Sequence, residues 1–274
     1  MSAPGKRVRA ETAGQSAALT KASERTQARV PERTHPLRIG IFGGTFNPPH
    51  LGHRHIVEDF HEQMAAAGLP LDKILIIPTY VPPHKAAPDL ASGEDRLLMC
   101  NLQLENGPFE VSDIEVRRQG ASYTWMTLEE LHEQYDEVDP ETGAKTPVEL
   151  YFLMGDDMLL YLPHWVRPEK VLEDAVLVST IRSHACSVEE LQTFAKTTYP
   201  DQYDAGRFLF FESEPFPVSS TEVRALVKEA AGIRAADGHS TKVTQHARQI
   251  AKAKLETLLD PKVLAYILER ELYL

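Results

Sequence analysis

Cysteine is scarce. Cys100 and Cys186 are the whole supply, and neither sits in a C-x-x-C pair. That excludes a zinc knuckle, a redox motif and a disulfide framework, and reduced thiols in a cytoplasmic chain are the expectation. No apolar run approaches the roughly 20 residues that span a bilayer, so no membrane partner is expected. Basic residues are outnumbered: 29 Lys and Arg against 40 Asp and Glu leave a net charge of −11. A non-specific nucleic-acid binder needs a broad basic surface, so nucleic acid is not an expected partner. The deficit says nothing against a small anion held in a local positive pocket. Two phosphate signatures are missing too. The glycines do not fit G-x-G-x-x-G, which makes a dinucleotide-dependent oxidoreductase remote, and there is no G-x-x-x-x-G-K-[ST].

What is present instead is Ile39 to His53, read as strand, turn and helix start. Residues 37–42 are a short apolar run. Residues 43–49 hold Gly43, Gly44, Pro48 and Pro49 and are expected to turn. From Gly52 the spacing of Ile56, Val57, Phe60 and Met64 predicts a helix, which Gly68 ends. A glycine turn feeding a helix N-terminus can bind phosphate, because the backbone approaches closely and the first amides are unpaired. His50 and His53, three residues apart, stand where such loops carry lysine and can face one side. They can hydrogen-bond a phosphate, and add charge when protonated. A surface His-x-x-His or half a metal site is the competing reading.

Residues 73–77 predict a second buried strand, so the opening strand–helix–strand implies a parallel pair with a right-handed crossover. The stiff loop Pro78 to Lys85 leaves that strand's carboxyl end, where open α/β sheets bind ligands. Ser92 and Asp95 resemble a capping box, opening a helix with Leu97, Leu98, Leu102 and Leu104 as its apolar residues. Residues 109–117 alternate like a strand. Ser122 or Thr124 reads as the cap of a helix carrying Leu128 and Leu131. Residues 136–147 and 199–206 read as polar loops, and 148–154, 175–180 and 207–211 as strands. Gly155, Asp156 and Asp157 follow the first of these, where glycine permits close approach and a carboxylate accepts from ribose or amine donors. A second strand–turn–helix start runs from Val218 to Arg224. There Ser220 and Thr221 supply hydroxyls and Arg224 a fork for two phosphate oxygens. Taken alone, that is a serine cap with a surface arginine.

Gly43-Gly44-Thr45-Phe46-Asn47-Pro48-Pro49-His50-Leu51-Gly52-His53 resembles the His-x-Gly-His signature of the nucleotidyltransferases, in wording most like the bacterial nicotinate-nucleotide adenylyltransferases. Pro-Pro-His-Lys at 82–85, Ser-Tyr-Thr at 122–124, Leu-Pro-x-Trp at 162–165 and Ser-Ser-Thr-x-x-Arg at 219–224 follow in that family's order. Asn47 stands where many members carry Asp, and Asp156 where Ala or Thr is usual. The resemblance implies an α/β fold, a Rossmann-like doubly wound parallel sheet with a small C-terminal helical part. It implies AMP transfer from ATP to nicotinate mononucleotide, with Mg²⁺ arriving on the ATP. It implies ATP contacts from Gly43, Gly44, Thr45, Phe46, His50, His53, Gly155, Asp157, Ser220, Thr221 and Arg224. Lys85, Tyr123, Thr124 and Trp165 would hold the pyridine mononucleotide, the tryptophan stacking on its ring. His50, His53, Lys85 and Arg224 would be catalytic. No metal ligand is expected from the protein. The alternatives are the same reaction on nicotinamide mononucleotide, or a non-catalytic nucleotide-binding regulator.

Three regions are expected. Residues 1–36 carry seven Lys or Arg against three Glu with almost no large apolar residue, a basic tail expected to be disordered. Its Arg-rich character faintly resembles a transit peptide, without the apolar centre of a secretory signal. Residues 37–228 form the nucleotidyltransferase domain. Residues 229–274 form a helical extension packed on it, with 229–259 read as an insertion and a last helix opened by Asp260-Pro261.

Overall fold

Six apolar runs become the strands of one sheet: β1 (Arg38–Gly44), β2 (Lys73–Pro78), β3 (Phe109–Val111), β4 (Glu149–Gly155), β5 (Val176–Ile181) and β6 (Phe208–Glu212). Their order is β3-β2-β1-β4-β5-β6, and every pair is parallel. This is the expected Rossmann-like doubly wound sheet, and its order reverses between β1 and β4, where such sheets bind ligands at their carboxyl ends. The computed structural model describes residues 35–82, 89–105, 107–138, 143–181, 186–214, 216–236, 239–242 and 244–274. The basic tail up to residue 34 and the segment holding Lys85 lie outside them. Residues 36–274 form one compact unit.

Side chains alternate across each strand, which gives the sheet two cores. Ile39, Ile41, Leu75, Ile77, Leu150 and Phe152 face one way. They meet α4 (Thr124–Tyr135), α5 (Asp156–Tyr161), α6 (Pro168–Asp174) and α7 (Val188–Thr198) through Leu128, Leu159, Val171 and Leu191. Phe42, Ile74, Ile76, Tyr151 and Leu153 face the other way, against α1 (Leu51–Ala66) and α2 (Gly93–Gln103). The face that α1 buries is Ile56, Val57, Phe60 and Met64, as its periodicity predicts. Each such side chain contributes about 1.5–3 kcal/mol by leaving water, and Phe60→Ala would cost about 3–5 kcal/mol. Gly68, at φ 77°, follows the end of α1.

Several local expectations are overturned. Only residues 109–111 pair as a strand, and Ile114–Arg118 turn into the short helix α3. There Ile114, Glu115 and Val116 are all buried, which a half-buried strand cannot do. The polar stretch 136–147 holds a small hairpin, Glu137–Val138 with Lys145–Thr146, and 199–206 holds the short helix α8 (Pro200–Asp204). Ser122 does not cap α4; its Oγ accepts the amide of Tyr80 at 2.9 Å. Ser92 does cap α2, accepting from the amide of Asp95 at 3.0 Å. The leucine face expected of α2 is buried only in part. Leu104, just past its end, is buried, Leu102 and Leu97 are half-buried, and Leu98 is exposed, while Gly93, Asp95, Arg96, Met99, Cys100 and Gln103 are buried within the helix.

The C-terminal helices close a third apolar cluster. Val223 and Val227 of α9 (Ser220–Ala230), Leu255 of α10 (Gln245–Glu256), and Val263, Leu264 and Ile267 of α11 (Pro261–Glu269) surround Met99. Between α9 and α10 runs a hairpin, Ile233–Ala236 with His239–Lys242. The Tyr266 hydroxyl donates to Asp95 at 2.6 Å, and the Asp260 amide donates to Gln103 at 3.1 Å.

Candidate active site

Gly43 and Gly44 pair with Ile77 and Pro78, so they finish β1 rather than turn it as expected. The turn is Thr45 to His50. Phe46 takes φ 48° and folds its ring back so closely that a Cβ on Gly44 would stand 3.0 Å from it. The Asn47–Pro48 peptide is cis. The Asn47 side chain is buried and used at both ends, donating to the Asp89 carbonyl (2.9 Å) and accepting the Ala91 amide (3.1 Å).

His50 is the N-cap of α1 and His53 its third residue. The His50 amide donates to His53 Nδ1 at 3.1 Å. That bond needs the lone pair on Nδ1, so the neutral His53 ring carries its proton on Nε2. The two imidazoles stack with centroids 3.7 Å apart, and Phe46 meets His53 edge-on at 5.0 Å. Both rings are therefore held at the helix's positive end, where an anion is favoured. The Leu51 amide, one of the helix's orphan donors, goes to the Leu258 carbonyl at 2.8 Å.

The second junction lands on the first. Ser219 supplies the cap of α9, accepting the Glu222 amide at 3.1 Å, which leaves Ser220 for other work. Ser220 Oγ donates to the Pro48 carbonyl at 2.8 Å. Arg224 donates to the Asn47 carbonyl at 2.7 Å and to Thr221 Oγ1 at 3.3 Å. Contact is so close at Gly52 that a Cβ there would lie 2.7 Å from Val218 Cγ1. A cleft of about 350 Å³ opens between the junctions, with His50, His53 and His55 on one side and Phe216, Ser220 and Thr221 on the other. That volume suits a small ligand.

The remaining expected residues do not line this cleft. Gly155 caps α5, Asp157 in its first turn is exposed, and Asp156 is buried. Trp165 is half-buried and meets the Phe152 ring edge-on at 6.1 Å. A Cβ on Gly43 would touch that same ring at 3.7 Å, so Trp165 reaches the first junction through Phe152. Tyr123 and Thr124 begin α4. Beside them the Trp125 ring carries the Arg167 guanidinium at 4.3 Å, which joins this helix start to the Trp165 turn. Among the described residues no group of three or more His, Cys, Asp or Glu is placed to hold a metal ion. No helix among them is long and apolar enough to cross a membrane.

Three residues escape a sequence reading. Asn47 looks like a plain turn residue. His55 looks like surface, yet its Nε2 donates to the Glu214 carbonyl at 3.0 Å, tying α1 to the cleft's far wall. Arg96 looks like an exposed helix cation and is the largest fully buried side chain. The available signal was spacing: Arg96, Met99, Cys100 and Gln103 fall at i, i+3, i+4 and i+7, one helical face. Two buried carboxyls, Asp95 and Glu115, are perturbed. Burial works to raise the Asp95 pKa, but hydrogen bonds from Tyr266 and Ser92 and the Arg270 charge outweigh it and hold the group below its usual range. Burial pushes Glu115 up, against hydrogen bonds from Thr127 and Ser122.

The sheet order and the paired helix starts define a nucleotide-transferring class, and sequence comparison agrees. Residues 41–226 match the family model described as cytidylyltransferase-like, and the chain belongs to that family of nucleotidyltransferases. Its relatives narrow this to the nicotinate-nucleotide adenylyltransferases. A probable nicotinate-nucleotide adenylyltransferase of Desulfitobacterium hafniense is 36% identical over 200 residues, covering 73% of this chain and 88% of the relative. One from a Shewanella species is 29% identical over 254 residues, covering 87% of this chain and 100% of the relative. Among solved structures, the nicotinic acid mononucleotide adenylyltransferase of Plasmodium falciparum complexed with NaAD has a similar fold. Its TM-score is 0.60 at 16% identity, over 86% of this chain and 97% of that one.

Proposed function

We propose that the chain moves AMP from ATP to nicotinate mononucleotide, giving nicotinate adenine dinucleotide and pyrophosphate. The supporting observation is the meeting of the two junctions, with Ser220 and Arg224 bonded to the backbone of Pro48 and Asn47 beside the stacked histidines. A phosphate oxygen of the mononucleotide attacks the α-phosphorus of ATP, a new P–O bond forms, and the bond to the bridging oxygen of pyrophosphate breaks. The substrate supplies the nucleophile, so the protein's work is positioning and charge stabilisation. His50 and His53 hold the ATP phosphates, and His53 Nε2–H donates to the α-phosphate as charge builds. Arg224, with Ser220 and Thr221, holds the leaving pyrophosphate. Gly43, Gly44, Thr45 and Phe46 give the phosphates close backbone contact, and Gly155 and Asp157 bound the nucleotide at the end of β4. Lys85 neutralises phosphate charge, a role assigned on motif likeness alone. Trp165 stacks on the pyridine ring, with Tyr123 and Thr124 beside it. The His50, His53 and Arg224 side chains would hold the phosphates of a nucleotide that carries its own Mg²⁺, and the ion would supply further neutralisation of their charge.

The test is to supply ATP, Mg²⁺ and nicotinate mononucleotide and to identify the products by mass. Dinucleotide and pyrophosphate in equal amounts are expected. Product with nicotinamide mononucleotide and none with nicotinate would overturn the substrate, and no product with either would overturn the reaction.

A further inference from the structure

Arg96 is a cation with no place in the scheme above. It is the fourth residue of α2 and 1% exposed; the charges of Glu94 and Glu115 act on it, but among the described residues no carboxylate forms an ion pair with it. A buried guanidinium without a directly paired carboxylate is costly, and it persists when its N–H groups are matched to fixed acceptors. Here the acceptors are all backbone carbonyls, and they belong to separate loops. Nε donates to Ala91 at 3.0 Å. Nη1 donates to Thr45 at 3.0 Å and to Thr79 at 2.5 Å. Nη2 donates to Tyr80 at 3.1 Å.

These loops leave the carboxyl ends of adjacent strands. Thr45 opens the histidine turn after β1, and Thr79 and Tyr80 follow β2. One nitrogen, Nη1, is shared between the two, so a planar group of fixed shape sets the distance between them. The Ala91 bond adds the segment that Asn47 also grips, so the turn is fixed from its side chain and from its backbone. Arg96 takes an inward position on α2 while Leu98, two residues on, is exposed.

We propose that Arg96 is a positioning residue for adenylyl transfer, fixing the histidine turn relative to the loop after β2. The proposal rests on the reaction given above. In that reaction the two substrates must meet in line, so the loops that flank them need a set separation. Lysine cannot reproduce this, because a single ammonium at the end of a flexible stem cannot span acceptors on three segments.

The experiment compares wild type with Arg96→Lys and Arg96→Met, measuring kcat, both KM values and thermal melting, with rates taken well below each variant's melting point. Because a displacement of about 1 Å can cost about a hundredfold in rate, kcat should fall about ten- to a hundredfold in both variants. KM for ATP should stay within about threefold, since each loop keeps its own contacts. A fold-only role would lower the melting point and leave kcat of the folded fraction unchanged, and that result overturns the proposal. Failure of both variants to fold at low temperature also overturns it, since Arg96 would then serve stability. Wild type making no dinucleotide would remove the reaction and this role together. An active wild type matched by both variants would remove this role alone.

Discussion

Gly52 is where the two junctions press hardest, and one methyl group there tests the arrangement. A Cβ at residue 52 would lie 2.7 Å from Val218 Cγ1 and 3.1 Å from His50 Nδ1. Carbon atoms rest at about 3.5–4.0 Å, so the Val218 contact is short by about 1 Å and something must shift; the expectation is that the junctions part. The stability change is small in sum. Overpacking costs about 1–3 kcal/mol, while alanine regains up to about 1 kcal/mol of helix propensity. At about 2–4 °C per kcal/mol for a domain of this size, melting should fall by no more than about 12 °C. The activity change is large, because that parting moves Ser220 and Arg224 away from the histidines. Turnover of Gly52→Ala should fall about a hundredfold. Val218→Ala removes the clashing carbon, so the double variant should recover to within about tenfold of wild type. A pyrophosphate-release assay on the four proteins of the cycle reads this directly. Full turnover in Gly52→Ala, or a loss that Val218→Ala leaves untouched, would refute the reasoning.

Four other outcomes are expected. His53→Ala removes one donor from the site and should lower kcat by about 10²–10³, with near-normal kcat counting against its role. Trp165→Ala should raise KM for the pyridine mononucleotide well above its effect on KM for ATP; an unchanged value rejects stacking. Asn47→Ala leaves the Asp89 carbonyl and the Ala91 amide without their partner and should cost about 1–3 kcal/mol in urea unfolding. Asp95 binds its proton more weakly folded than unfolded. Its contribution is therefore whole above the ordinary carboxylate range and lost as pH falls through the depressed value. Asp95→Asn should flatten the acid limb of melting temperature against pH, and parallel limbs in the two proteins would contradict this.

Both helix starts are legible in the sequence because each is a local pattern: glycines, histidines or hydroxyls set directly before an apolar period. The strands are legible because parallel sheets buried on both faces read as unbroken apolar runs. The face of α2 is legible only in part. Local hydropathy points to Leu97, Leu98, Leu102 and Leu104, of which Leu104 is buried, but the inward place of Arg96 depends on carbonyls of Thr45, Thr79 and Tyr80, which local spacing does not show. Ser122 is similar. Its hydroxyl has a local use as a cap and a distant use at Tyr80, and the distant one prevails. Arg224 falls between. Its spacing from Ser220 announces an anion site, but its bond to the Asn47 carbonyl belongs to tertiary structure.

The amide of Leu51 ends on the carbonyl of Leu258. A ribosome makes the histidine turn first, and the atom that completes it about two hundred residues later. Until then the emerging polypeptide carries a nucleotide turn with an unsatisfied donor, and α2 lacks the Tyr266 hydroxyl at Asp95. The first junction therefore reaches its described hydrogen bonding only once residues near 258 have folded onto it. A premature stop or a proteolytic cut before residue 258 removes a piece of the first junction, although the scar lies about two hundred residues downstream of it.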